Sequence, residues 1–481
     1  MLKRIRLENF KSWEVLDLEL GNITILFGTN SSGKTSALDA LLLLKQTATS
    51  FDRSLPMNLG GGDQDYVDFG SFRDLVFQHS AKKRVGIKLD WEPIFLRRMG
   101  LPIQQLPYEI QKLQLEKGGV SEPEVPRRVR VRPTLITYEV FWKELRSRVV
   151  VERLNYKAVS IPKSDLYFRL RHHQGRNYRF DVPRLPIDTE LEQALLEANG
   201  RDLPKTVRLE SCYSVSRFAF HRYPTAFDPT LFGREFEALI EQFAYLGPLR
   251  DNPHRLYFWR GTAPREIGLK GEKTIDVLLT SERDSEKEDL IREVSSWLKR
   301  MGLVEEFRIE PISTNKRFYE TRVRVSKGQV ETSLADVGFG VSQVLPVITL
   351  LFFVPEGSIV LMEQPEIHLH PCAQAQLADL FLYVAHARRL QLIIESHSEY
   401  LLRRLQRRIA EANQPFANPE RIKMYFSQIK DGKSVAEPVK VDHYGQISNW
   451  PENFFGDVVG DLDAMTDAAL ERRRQELKNN G

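Results

Sequence analysis

The stretch Gly28-Thr29-Asn30-Ser31-Ser32-Gly33-Lys34-Thr35-Ser36 constrains this chain more than any other, because it fixes a glycine loop between two defined elements. Before it, Ile23-Thr24-Ile25-Leu26-Phe27 is a β-branched and aromatic run that reads as a buried strand. After it, Ala37-Leu38-Asp39-Ala40-Leu41-Leu42-Leu43-Leu44 consists of strong helix formers. Strand, glycine loop and helix form the setting in which Gly-x-x-x-x-Gly-Lys-Thr binds phosphate. The loop from Gly28 through Asn30, Ser31, Ser32 and Gly33 to Ser36 can wrap a phosphate chain with its backbone N–H groups. The helix N-terminus adds partial positive charge. Lys34 is placed to reach the β- and γ-phosphates, and the Thr35 hydroxyl to take one position on Mg²⁺.

A chain of 481 residues can bury a large core and is expected to form two or three units. Hydrophobic content of 42% and charged content of 28% are those of a globular protein. A net charge of +4 is too small to argue for nucleic acid by itself. Cys212 and Cys372 lie far apart, which supports neither a disulfide framework nor a cysteine zinc site. Without a run of about 18 apolar residues, no membrane span is expected. The start, Met1 to Arg6, reads as a strand and not as a signal peptide, so the expected location is the cytoplasm. Residues 127–157 are the most basic stretch, with Arg127, Arg128, Arg130, Arg132, Lys143, Arg146, Arg148, Arg153 and Lys157 alternating with valines. They read as strands whose basic face is either solvated or in contact with nucleic acid or an acidic partner. Helices are expected at 190–200, 230–244 and 286–302, and a hairpin at 318–333.

A second half of the nucleotide site follows. Ser358-Ile359-Val360-Leu361-Met362-Glu363 is an apolar run ending in an acid, the form in which a phosphate-loop ATPase brings a carboxylate to Mg²⁺ beside the loop threonine. After a helix at 373–389, Leu392-Ile393-Ile394-Glu395-Ser396-His397-Ser398 is another strand ending in a polar turn. Strand, helix and strand after a phosphate loop predict an α/β fold with parallel strands.

These segments together resemble an ABC-type ATPase of the SMC, RecF and OLD-like branch. Leu7-Glu8-Asn9-Phe10-Lys11-Ser12 resembles the strand-turn that opens those heads. The phosphate loop follows, and Glu363-Gln364-Pro365-Glu366-Ile367-His368-Leu369-His370-Pro371 resembles the Asp-Glu-Pro…Leu-Asp/His-Pro block. His397 in Ser-His-Ser resembles the switch histidine that touches the γ-phosphate. The resemblance covers about 1–90 and 240–440. It implies a head with a mixed sheet, split by an α+β insertion at 91–239 and followed by a tail at 441–481. The cofactors implied are ATP and Mg²⁺, with Lys11 at the nucleotide and Thr35 and Glu363 on the metal.

Asp336-Val337-Gly338-Phe339-Gly340-Val341-Ser342-Gln343 stands where this branch has its signature motif. There the motif contacts the γ-phosphate held by the other subunit of a head-to-tail dimer, which would bring Gly338, Gly340, Ser342 and Gln343 to the nucleotide. The spelling leaves open whether Gly340 or Ser342 replaces the usual serine. Where the family has Asp-Glu, this chain has Glu363-Gln364, and glutamine cannot accept the proton of the attacking water. Either Glu366 or Glu363 takes over as base and hydrolysis is slow, or ATP is held as a clamp or sensor. His368 and His370 fall in the family's turn and read as structural more readily than as metal ligands. Gln46 and Gln64 are both candidates for the glutamine that senses Mg²⁺.

The absence of a heptad pattern argues against the long arm of an SMC protein. The short tail, with Asp457, Asp461 and Asp463, argues against a TOPRIM nuclease. Tyr245-Leu246-Gly247-Pro248-Leu249-Arg250 and Asn449-Trp450-Pro451 resemble stand-alone ATPases of bacterial defence operons, including Septu-type subunits that work with a separate HNH nuclease. That resemblance implies an ATP-bound dimer or larger homo-oligomer controlling a partner nuclease in antiphage defence, with a phage component or DNA as a further contact. The competing expectation is a RecF-like repair ATPase that binds DNA through residues 127–157.

Overall fold

The computed structural model describes residues 1–62, 65–80, 82–99, 101–103, 129–160, 166–175, 177–181, 207–215, 230–281, 289–312, 317–412, 416–450 and 464–473. The expected helix at 190–200, the acids Asp457, Asp461 and Asp463, and Gln64, Arg127 and Arg128 lie outside the described residues.

The chain opens with strands β1 (Leu2–Phe10), β2 (Trp13–Glu19) and β3 (Ile23–Gly28), followed by helix α1 (Lys34–Thr49). β1 alternates, burying Leu2, Ile5 and Leu7, and it pairs antiparallel with β2 and with β4 (Val85–Trp91). From β4 the sheet continues antiparallel through strands at Pro133–Leu145, Arg148–Ser160, Leu166–Gln174, Asn177–Asp181, Val207–Glu210 and Ser214–Val215. These six strands of the segment read as an insertion therefore extend the sheet that β1 begins. Helix α2 (Thr230–Glu241) covers it, with Phe232 stacked on Tyr156 and Phe236 on Tyr213 at centroid distances of 5.1 and 5.0 Å. On the outer face Lys143 and Arg84 pair with Glu152, and Arg153 pairs with Glu139.

The second sheet has six strands in the order β5 (Phe243–Leu246), β6 (Ile359–Glu363), β7 (Gln391–Glu395), β3, β8 (Ile422–Lys430) and β9 (Lys433–Pro438). All neighbours are parallel except β8 and β9. Both faces are covered, so the central strands are near-continuous apolar runs. Leu26, Leu361 and Ile393 face the core that contains α1, while Ile25, Phe27, Met362 and Ile394 face the opposite core. Helix α1 lies in the core shared by the two sheets, with Leu38 and Leu41 to Leu44 fully buried.

The opposite core is packed by α3 (Phe339–Phe353), α4 (Pro371–Ala387) and α5 (Glu399–Glu411), with shorter helices at Thr274–Ser281 and Asp289–Arg300. The expected hairpin at 318–333 is present as Phe318–Arg324 paired with Thr332–Ser333, and the first of these also pairs with Glu306–Pro311. The fold is mixed α/β with several sheets. Among the described residues no helix is long and apolar enough to cross a membrane.

Candidate nucleotide site

The phosphate loop sits at the C-terminal end of β3, where a parallel sheet opens toward ligands. Gly28 has φ 145°, and a Cβ there would overlap the Ser427 carbonyl oxygen of β8. Gly33 has φ 87°, and its Cβ would press on the hydroxyls of Ser12 and Ser434 at 2.6 and 2.7 Å. Both glycines are therefore required by close packing as well as by backbone angle. The loop is held from below: Trp13 Nε1 donates to the Gly33 carbonyl at 2.9 Å, and Ser427 Oγ donates to the Ser32 carbonyl at 2.9 Å. Asn30 and Ser31 stay exposed on the open side, while the buried Ser32 hydroxyl has no hydrogen-bond partner. Lys34 folds onto the loop, donating to the carbonyls of Thr29 at 2.7 Å and Gly28 at 3.2 Å. Burial lowers its pKa, opposed by the charge of Glu395.

The acids are arranged differently from the expectation. β7 intervenes between β6 and β3, so the strand that ends in Glu363 is not beside the loop strand. Its neighbour in register, Glu395, takes the loop threonine: Thr35 Oγ1 donates to Glu395 Oε2 at 2.8 Å. Glu363 instead accepts from the Tyr245 hydroxyl at 2.6 Å, and its main-chain oxygen accepts from Arg250 Nη2 at 3.2 Å. Burial pushes the Glu363 carboxyl up to about 7, against the Tyr245 hydrogen bond and with Glu395 adding to the rise. Asp39, one turn after Thr35, is pushed up to about 8 by burial and then by Glu363, with Lys11 opposing. Lys11 itself lies over the Phe69 ring, 4.6 Å from its centroid. Burial brings the Arg250 guanidinium down to about 10, and its Nε and Nη1 have no hydrogen-bond partner.

A hydroxyl and carboxylates are hard oxygen donors, the set that suits Mg²⁺. Among the described residues no three His, Cys, Asp or Glu side chains converge closely enough to hold a metal ion by themselves. That fits an ion which takes one or two carboxylates and completes its shell with water and phosphate oxygens.

The turn after β6 carries the remaining candidates. Gln364 and His368 both have left-handed backbones, at φ 43° and 62°. The Gln364 N–H donates to the Glu395 carbonyl at 2.8 Å, so the turn is tied to the end of β7. Glu366 is 6% exposed, and its Oε1 accepts from Ser396 Oγ at 2.8 Å and from the His397 N–H at 2.7 Å. Burial raises its pKa, opposed first by the His397 N–H. Glu366 thus braces the switch turn through Oε1, while its buried Oε2 has no hydrogen-bond partner. His397 is half-buried, and burial and then the Lys34 charge lower its pKa, so its imidazole is neutral at pH 7 and close to the loop lysine. His370 caps α4 by accepting from the Cys372 N–H at 3.3 Å.

Gly338 caps α3 and is exposed, and a Cβ on Gly340 would lie 3.4 Å from the His368 carbonyl oxygen. Ser342 and Gln343 are 5% and 7% exposed, so the polar side chains of this segment are buried. Gln46 is held by Asn58 and Val67 backbone groups in the core.

Sequence reasoning missed Glu395, Asp39, Tyr245 and Arg250 as site residues. The signal for Glu395 was present: Leu392-Ile393-Ile394-Glu395 is an apolar run ending in an acid, just as Ser358–Glu363 is.

A family model described as "AAA ATPase domain" matches residues 1–180, and one described as "AAA domain, putative AbiEii toxin, Type IV TA system" matches residues 217–403. A third, described as a protein of unknown function (DUF3696), matches residues 417–465. The loop lies in the first match, and Glu363, Glu395 and His397 lie in the second. The chain is thus similar to AAA-type ATPases over both halves of its site. No curated protein matches the sequence. Among solved structures, an SMC head bound to the C-winged helix domain of ScpA is 13% identical, with 91% of this chain and 97% of that chain covered, at a TM-score of 0.41. The SMC head domain from Thermotoga maritima is 12% identical, with 92% and 99% covered, at 0.36. A Pyrococcus furiosus Smc head with an extended coiled coil, bound to the C-terminal domain of ScpA, is 12% identical, with 91% and 96% covered, at 0.40. Values this low say nothing about activity or partners.

Proposed function

We propose that this chain is an ATP-binding, slowly hydrolysing ATPase subunit that pairs with a second copy around ATP and regulates a partner nuclease in antiphage defence. The observation that carries the ATP-binding and slow-turnover part is the site itself. A braced phosphate loop meets two buried acids at adjacent strand ends, while the position after the acidic strand holds Gln364. Glu366 braces the switch turn through Oε1, which leaves only its buried, unpartnered Oε2 to act on water after Glu363. Slow turnover with a long-lived ATP state suits a regulator better than a motor.

Support for the defence setting is of a different kind. One matched description names a type IV toxin–antitoxin system, and the Gly-Pro-Leu-Arg segment resembles defence-operon ATPases. The exposed Gly338 cap of α3 leaves a helix N-terminus open to a second copy's phosphate. A RecF-like role is less well supported, because Lys143 and Arg153 of the 127–157 stretch are already paired with Glu152 and Glu139.

The test is ATP binding and turnover by purified protein. Wild type is expected to bind ATP with Mg²⁺ and hydrolyse it slowly, Lys34→Ala to lose binding, and Gln364→Glu to raise turnover roughly tenfold or more. Fast turnover by wild type with Gln364→Ala harmless would overturn the slow-clamp reading. Salt-sensitive DNA binding by the isolated chain would favour the repair role, and a co-purifying nuclease the defence role.

A further inference from the structure

We propose that a cavity among the helices covering the parallel sheet opposite α1 binds a nucleobase carrying one terminal phosphate. A free nucleoside monophosphate and the 5′-phosphorylated end of a single strand both present that chemistry. The cavity has a volume of 440 Å³ and is formed by the helix at Asp289–Arg300, by α4 and α5, and by Phe416 just beyond α5. No residue of the phosphate loop lines it, so the inference is independent of the nucleotide reading given above. Both α4 and α5 begin at the strand ends that carry the loop and run back along the sheet, which places Tyr383, His386 and Arg408 away from the nucleotide.

Helical spacing brings the chemistry together. Asp379, Tyr383 and His386 are four and three residues apart on α4, and Arg404 and Arg408 are four apart on α5, so each set shares one face. Asp379 braces the arginines: Oδ1 accepts from Arg408 Nε at 2.6 Å, and Oδ2 accepts from Arg408 Nη2 at 3.0 Å and from Arg404 Nη1 at 2.7 Å. Arg408 Nη1 donates to Glu411 Oε2 at 2.6 Å, which completes its partners. Arg408 is thereby spent on structure. Arg404 keeps Nε and Nη2 for a ligand, and Arg300 has no ion pair among the described residues. Even with Glu411 counted, three guanidinia stand against two carboxylates, so the cavity favours an anion.

The rest of the wall is aromatic. The Trp297 ring lies 5.4 Å from that of Tyr383, Arg300 sits over Trp297 at 5.0 Å, and His386 lies 5.0 Å from Phe416. Tyr383 is 40% exposed, which leaves a ring open to stacking. A flat base stacks on such rings, and a phosphate takes charge-assisted hydrogen bonds from guanidinium groups. An aliphatic anion would leave the rings unused, and an uncharged aromatic would leave the arginines unused. The volume lies within the ~300–1,000 Å³ of small-ligand sites.

The test is calorimetric titration of the full chain carrying Lys34→Ala, in EDTA, so that the phosphate loop is silent. The probes are the four common ribonucleoside 5′-monophosphates, tested singly, their parent nucleosides, and 5′-phosphorylated single-stranded pentanucleotides. At least one monophosphate is expected to bind with submillimolar affinity, and its nucleoside at least ~tenfold more weakly. Arg300→Ala and Tyr383→Ala remove exposed side chains, so both should keep the parent melting temperature, and each should weaken binding about tenfold or more. Arg404→Lys, which keeps the charge but loses the fork, should weaken it less than Arg404→Ala. Binding of the pentanucleotide alone, with the same dependence on Arg300 and Tyr383, assigns the strand end as the source. No binding by any probe, equal affinity for nucleoside and monophosphate, or unchanged affinity in either Arg300→Ala or Tyr383→Ala overturns the proposal. Failure of wild-type protein to bind ATP at the loop leaves each of these outcomes intact, so the two readings fail separately.

Discussion

Gly28 shows how a motif residue can be required twice. Its φ of 145° disfavours any side chain, and β8 passes so close that a Cβ would overlap the Ser427 carbonyl. Gly28→Ala is therefore expected to lower stability by at least ~2 kcal/mol from strain alone, and to weaken ATP binding by more than Lys34's neighbours would when truncated. Thermal melts and ATP titration check both. Gln364 is the complementary case: the glutamine holds a left-handed backbone and bonds through its N–H to the end of β7, so its place is set by the main chain. The side chain is then free to differ chemically without disturbing the turn, which is why Gln364→Glu is a fair test of the missing base.

Among the elements, α1 is the most demanding. Its middle lies between two sheets, and its leucines at 41 to 44 are all fully buried. Leu41→Ala should cost about 2–5 kcal/mol, seen as a lowered midpoint in chemical denaturation. The short helix at Phe95–Met99 depends on α2 in another way. Glu235 is fully buried and accepts from Trp91 Nε1 and from the N–H groups of Ile94 and Leu96 at 3.0, 2.6 and 2.7 Å. Burial raises its pKa in the folded state, with those donors opposing. A carboxyl with a raised folded pKa binds its proton more tightly when folded. Its contribution is therefore fully present below the unfolded pKa and is lost as pH rises through the folded value. Each unit of difference is worth ~1.4 kcal/mol above that window. Wild type should thus lose stability relative to Glu235→Gln on going from pH 5 to pH 8, as thermal melts at the two values would show.

At the scale of the whole molecule, the two sheets are tied where they diverge. Gln391, at the start of β7, accepts from the Leu2 N–H and donates to the carbonyls of Leu2 and Gly21 at 2.8, 2.7 and 2.8 Å, and it is 2% exposed. Gln391→Leu keeps the volume but strips three buried backbone groups of their partner. Each costs about 1–3 kcal/mol, so a loss of several kcal/mol is expected in denaturant titration. The same joint matters to the site, since β1 leads to Ser12 and Trp13 under the loop and β7 leads to Glu395.

What the sequence determined by itself was local. The strand–loop–helix at 23–44, the apolar runs ending at Glu363 and Glu395, and the amphipathic helix expected at 286–302 and present at Asp289–Arg300 are written in short-range patterns of side chains. The partition of strands into sheets was decided only in three dimensions. The six strands from Pro133–Leu145 to Ser214–Val215 joined the sheet of β1 because edge strands pair by shape and register, which no local pattern encodes. Strand order likewise decided the acids. Two similar runs both end in glutamate, and only the placement of β7 between β6 and β3 gives the loop threonine to Glu395 and not to Glu363. Proximity between residues 360 positions apart is a property of the packed sheet, since it arises from hydrogen-bonded neighbours and not from spacing along the chain.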